Sequence, residues 1–180
     1  MIKKKDSSMQ KKLFIAMFIT GFLFSAQAHF MSSIWPQKSL SSHEYGNPSA
    51  SKRVLIGGVA SSFKNALLKN VIDSLMKDSV YVKAVGLKDL AKEPATQWSV
   101  VLILNTCMAW EIENTVKNYM NSFPLYNSFI VVTTSGNPKT CGSAAKLPKN
   151  IDAISTASKT VKLPEVLARV LELLRKKLGR

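Results

Sequence analysis

Ser99-Val100-Val101-Leu102-Ile103-Leu104 places five apolar residues in an unbroken row. A strand with one wet face alternates apolar and polar residues, whereas a strand covered on both faces has no reason to. This run therefore reads as the centre of a sheet with helices above and below. Two more runs repeat it: residues 53–59 read Arg-Val-Leu-Ile-Gly-Gly-Val and residues 129–134 read Phe-Ile-Val-Val-Thr-Thr. Val80 to Val85 alternates and reads as a further strand, and residues 151–155 as a short final one. Between them the period changes to helical. Ser61 or Ser62 can cap a helix whose stripe is Phe63, Leu67, Val71 and Leu75, and Ile112, Val116, Tyr119 and Phe123 form a second stripe. In the last helix Pro164 occupies the first turn and Val166, Leu167, Val170, Leu171, Leu174 and Leu178 line one face. Glu165 with Arg169 and Glu172 with Lys176 pair on the other. Strands alternating with helices predict an α/β three-layer sandwich around a five-stranded parallel sheet, spanning residues 52–180. The crossovers at 87–97 and 135–150 leave room only for short helices.

The chain has 180 residues, with 25 Lys and Arg against 11 Asp and Glu, a net charge of +14, and 46% hydrophobic residues. That apolar content excludes a disordered chain, and two cysteines exclude a disulfide-dense mini-scaffold. Part of the charge belongs to the N-terminus. Lys3, Lys4, Lys5, Lys11 and Lys12 precede an apolar run from Leu13 to Phe24, and Ala26 and Ala28 supply a small-x-small cleavage pattern. Residues 1–28 thus read as a secretory signal, or, if uncut, as an N-terminal anchor through residues 13–28. Removing them leaves 20 basic and 10 acidic residues, a net +10 scattered singly along the chain. The expected location is periplasmic or otherwise outside the cytoplasm, and no nucleic-acid partner is expected. Residues 29–51 mix Ser, Pro, Asn and Gly without sustained periodicity and read as a linker or irregular arm. Both histidines, His29 and His43, lie there, which argues against a histidine-based site on the core.

In a doubly wound sheet, ligands bind beyond the carboxyl ends of the strands at the point where strand order reverses. The loops that reach this rim are 58–65, 105–110, 134–137 and 155–159, rich in hydroxyls and small residues and carrying Lys64 and Lys159. Helix N-termini aim unpaired N–H groups at the same place, which suits a phosphate.

Residues 52–178 resemble the flavodoxin-like family. The order of elements is similar, as are the hydroxyl-bearing loop after the first strand, the aromatic Trp110 after the third, and Ser135-Gly136 after the fourth. The resemblance implies FMN as cofactor, with Ser61, Ser62, Lys64 and Asn65 at its phosphate, and Thr106 and Trp110 on one side of the ring. Ser135 and Gly136 would line the other side. The sequence departs from the family's Thr/Ser-x-Thr-Gly-x-Thr loop: no glycine stands within 60–65, Phe63 is bulky, and Lys64 adds a charge. Two functions follow: an exported FMN protein in electron transfer or assisting a reductase, with a redox partner protein, or a non-catalytic binding module that has lost FMN. Asp152-Ala-Ile-Ser-Thr-Ala-Ser158 also resembles the motif at which exported FMN-binding domains receive flavin covalently, which would make Ser158 the acceptor. The favoured reading of the same residues is a chance match or a strand-to-helix turn.

Cys107 and Cys141 follow neighbouring strands, close enough for a disulfide in an oxidising compartment. A redox-active thiol pair is a third function, though neither cysteine has a Cys-x-x-Cys partner. No Gly-x-Ser-x-Gly elbow, Walker loop or His-Glu-x-x-His helix is present, and no catalytic constellation is assigned.

Overall fold

The structure is a computed structural model that describes residues 37–108, 111–137, 147–148 and 150–179. Gln37–Arg180 forms one compact unit. Its elements are β1 (His43–Tyr45), β2 (Arg53–Gly58), α1 (Ser62–Lys77), β3 (Tyr81–Gly86), α2 (Leu87–Leu90) and β4 (Val100–Thr106). They continue with α3 (Asn114–Asn121), β5 (Phe129–Ser135), β6 (Asp152–Ala157) and α4 (Leu163–Lys177).

The sheet order is β1-β3-β2-β4-β5-β6, and every pairing except β1 with β3 is parallel. The sheet therefore has six strands, where the apolar runs predicted five. The sixth, β1, lies inside the stretch expected to be a linker. Its three residues, His-Glu-Tyr, show no apolar alternation, so no period announces them. Pairing is what makes them a strand: β1 runs antiparallel to β3 and covers an edge that would otherwise expose unpaired N–H and C=O groups. Lys83 fastens the pair, its ammonium 3.4 Å from Glu44 of β1 and 2.6 Å from Glu93. These carboxylates hold its pKa above the ordinary lysine value, Glu93 contributing most.

Because successive side chains of a strand point to opposite faces, each parallel strand feeds two cores. On one face Val54, Ile56, Val82, Leu102, Leu104, Ile130 and Val132 meet α1 and α4 through Phe63, Leu67, Val71, Val170 and Leu174. On the other, Leu55, Val85, Val101, Ile103 and Val131 meet α2 and α3 through Leu87, Leu90, Val116, Tyr119 and Met120. The three layers are as expected. Burying each of these larger side chains stabilises the fold by about 1.5–3 kcal/mol before chain entropy is set against it.

Local chemistry decides where helices start and stop. The Ser61 hydroxyl accepts the Lys64 N–H at 3.2 Å, capping α1. At the other end Ser79 adopts φ 55°, and the N–H groups of Ser79 and Val80 return to Met76 and Leu75. The crossover after β3 holds only the four residues of α2 and a 3-10 turn at Ala95–Gln97, short as predicted. The crossover between β5 and β6 lies mostly outside the described residues.

Candidate functional site

All strand ends after β2, β4, β5 and β6 meet at one edge of the sheet. Two polar groups of residues gather there, one on each face. On the α1/α4 face, Thr106, Thr134 and Thr156 stand in one row across β4, β5 and β6. Each lies two residues beyond Leu104, Val132 or Ile154, which pack against the helices, so the apolar face becomes a hydroxyl face at its end. Thr134 donates to the Asn105 carbonyl at 3.4 Å.

Lys64 enters this row from α1. It is 1% exposed, and its ammonium donates to the Thr106 hydroxyl. No described carboxylate makes an ion pair with it, and no other described acceptor takes its remaining protons. Burial pushes its pKa down from 10.5 to about 8; the charge of Glu113 works in the opposite direction from a greater distance. Glu113 itself, half-buried before α3, is raised by burial and lowered by Lys64.

On the opposite face, Asn105 is fully buried with neither amide atom hydrogen-bonded among the described residues, and the buried Ser135 hydroxyl likewise has no described partner. An unmatched buried polar group costs about 1–3 kcal/mol, so such groups point to something that would match them. Asn105 sits opposite Thr133 in register, and Ser135 is two residues further along β5.

The N-terminus of α1 completes the edge. Its first turn carries no acidic residue, Ser62 and Asn65 are exposed, and the Ser62 and Phe63 N–H groups precede the first intrahelical bond. The Ser61 hydroxyl, expected to face a phosphate, is occupied as the cap. Phe63 is buried in the core at 4% exposure and does not obstruct the edge.

The structure thus brings Ser61, Ser62, Lys64, Asn65, Thr106 and Ser135 to one edge, with Gly136 exposed beside Ser135. Trp110 and Cys141 lie outside the described residues. Cys107 leaves β4 with its N–H on the Thr134 carbonyl at 2.8 Å. Ser158 is exposed just after β6, two strands away from β4, about 10 Å at ordinary strand spacing.

Sequence reasoning placed Lys64 at this edge but not its burial, and it missed two further features. Asn105 is an unmatched amide, which only burial reveals. Lys64 shares α1's apolar stripe with Leu67, Leu68 and Val71, a spacing that signalled its burial. Residues 37–40, taken for part of a linker, lie against this edge. Leu40 N–H donates to Gly58 O at 3.2 Å, Ala60 N–H donates to Lys38 O at 2.6 Å, and Ser39 bridges Val59.

No protein-family model matches the chain, and no curated protein matches it by sequence. Solved structures do match. An oxidoreductase from Corynebacterium diphtheriae aligns over 72% of this chain and 97% of its own at 10% identity, with a TM-score of 0.51. The apo form of an NADH:FMN oxidoreductase aligns over 71% and 89% at 10% identity, with a TM-score of 0.52. A variant of the flavo di-iron protein of Thermotoga maritima aligns over 74% of this chain and 37% of its own at 17% identity, with a TM-score of 0.54. The chain therefore spans little more than a third of that protein. At these identities the likeness establishes the fold, a flavodoxin-like doubly wound sheet with the parallel order β3-β2-β4-β5-β6.

Proposed function

We propose that this chain is an exported FMN-binding redox protein that holds the flavin non-covalently at the carboxyl edge of its sheet and exchanges electrons with a partner protein. One observation carries the proposal: a buried ammonium, Lys64, whose hydrogen-bond partner among the described residues is the Thr106 hydroxyl and which no described carboxylate contacts as an ion pair, at the strand-order reversal between β2 and β4. A buried charge without a partner is costly, and a phosphate dianion is the ligand that would relieve it there. The described residues fit that end of the molecule. Lys64, the Ser62 hydroxyl and the free N–H groups of α1 would hold the phosphate. The unmatched Asn105 and Ser135, with Gly136, would take the polar edge of the ring, and Trp110, outside the described residues, would stack on its face as the family resemblance implies. FMN would supply reversible electron transfer, and the protein its orientation. Two of the structural neighbours carry flavin chemistry in their names, the NADH:FMN oxidoreductase and the flavo di-iron protein. Export rests on the lysine-rich and apolar pattern of residues 1–28, and a Cys107–Cys141 disulfide would suit that compartment.

The test is direct. Protein recovered from the exported fraction should absorb near 450 nm, or quench added FMN fluorescence saturably. Acid denaturation should then release the flavin; flavin retained on the chain would point to Ser158 as a covalent acceptor. Colourless protein that leaves FMN fluorescence unchanged overturns the proposal. The second reading, a binding module without FMN, is favoured by the missing glycine within 60–65. Protection against unfolding by inorganic phosphate, with none by FMN, would support it.

A further inference from the structure

The arm at 37–40 does more than pack. Beside β2 the sheet's neighbours are β3 and β4. β3 stops at Gly86, and beyond that point residues 38–40 take its place, running antiparallel to the chain at 58–60. Val59 meanwhile keeps its bond to Leu104 of β4 at 3.1 Å. The arm thus starts on the β3 side of the β2 end. It does not stay there: the Gln37 carboxamide donates to the sulfur of Met108, in the loop after β4. The Gln37 and Met108 side chains thus meet across the end of β2, immediately before α1 begins.

Two glycines make the seat. A methyl group on Gly86 would collide with the Ser39 hydroxyl and come within 3.1 Å of the Leu40 carbonyl oxygen. One on Gly58 would lie 3.2 Å from Leu40 Cδ1 and 2.8 Å from Leu104 Cβ. Leu40, 7% exposed, is anchored in the core shared by α1 and α4. Met108 in turn is fixed by reciprocal backbone bonds with Glu111, at 3.0 and 3.1 Å. Glu111 is held by Lys117 of α3 at 2.8 Å. The arm is therefore tied to both walls of the crevice where strand order reverses.

We propose that residues 37–40 form a clasp across the phosphate end of the crevice, so that a bound ligand leaves only when the clasp lifts from β2 and Gln37 releases Met108. The clasp rests on the FMN reading above and makes Gln37 a positioning residue for that site. Its effect belongs in the dissociation rate, because a lifted strap lowers the barrier to exit while leaving the phosphate contacts in place.

Stopped-flow displacement of FMN by excess riboflavin phosphate analogue lacking fluorescence, on full-length wild type, Gln37→Leu and Gly86→Ala, tests this. Dissociation should accelerate about tenfold in Gly86→Ala and several-fold in Gln37→Leu. Hydrogen exchange without ligand gives an independent readout. In Gly86→Ala the Leu40 and Ala60 amides should lose protection, while those of Leu102 and Ile103 in β4 keep theirs and report an intact fold. If Gly86→Ala fails to fold, Gln37→Leu decides alone. FMN uptake by wild type with unchanged dissociation in the folded variants overturns the clasp and spares the flavin reading. Uptake by the variants alone overturns the clasp in favour of a plug. No uptake by any of them overturns both.

Discussion

Lys64 burdens the ligand-free protein at neutral pH. Its pKa falls from 10.5 to about 8 because burial disfavours the ammonium, a cost of about 3 kcal/mol at 1.36 kcal/mol per unit. The sign follows from proton counts. Between about pH 8 and pH 10.5 the unfolded lysine keeps a proton that the folded one has released, so stability rises with pH across that window. Below pH 8 the whole cost is present. Lys64→Met should therefore stabilise the ligand-free protein by about 2 kcal/mol at pH 7 in urea unfolding, and the advantage should vanish towards pH 10.5. The same substitution should weaken FMN at least about tenfold, the loss expected when a charge-assisted hydrogen bond goes. Equal FMN affinity in the two proteins would remove Lys64 from the site. A stabilised variant that binds more weakly is what a functional charge, as opposed to a structural one, should produce.

At the scale of elements, the helical periods located α1 and α4 well and misjudged α3. The stripe Ile112, Val116, Tyr119, Phe123 suggested one helix, yet only Asn114–Asn121 is helical. Glu113 has extended geometry before it, and Pro124 disfavours helix at Phe123. Ile112 and Phe123 still pack on the same core from outside the helix, so the spacing was sound and the boundaries were not. For α1 the cap is testable. Ser61→Ala removes the acceptor of the Lys64 N–H and should cost about 1 kcal/mol of stability, read as a lower urea midpoint with an unchanged slope. FMN affinity should change little, since the hydroxyl is already engaged within the helix. A large loss of affinity with stability intact would return Ser61 to the phosphate contacts.

For the molecule as a whole, the proposed Cys107–Cys141 bridge would tie the loops after β4 and β5, 34 residues apart in the chain. Closing a loop of that length removes unfolded-state freedom worth about 3–4 kcal/mol in the chain-entropy model. Reduction should therefore lower the urea midpoint by that equivalent, and thiol titration of the unfolded, unreduced protein should find no free cysteine. Identical unfolding curves with and without reductant would refute the bridge. Among the described residues no helix is long and apolar enough to cross a membrane. Mass measurement of the purified chain should show residues 1–28 removed, as their lysine-rich and apolar pattern leads us to expect.

The order of strands and helices, the burial of the central strands on both faces and the edge at which a ligand would sit were legible in the sequence. Each is written as a local period of apolar residues, and the handedness of crossovers does the rest. What Lys64 touches, the unmatched state of Asn105 and Ser135, and the sixth strand were not legible. None is a property of a segment: each depends on which backbone lies opposite, and β1 becomes a strand only because β3 offers an open edge. The arm at 37–40 belongs to the same class. Its residues carry no period, and its place beside the end of β2 comes from Gly58 and Gly86, two glycines remote in the chain that leave the room it fills.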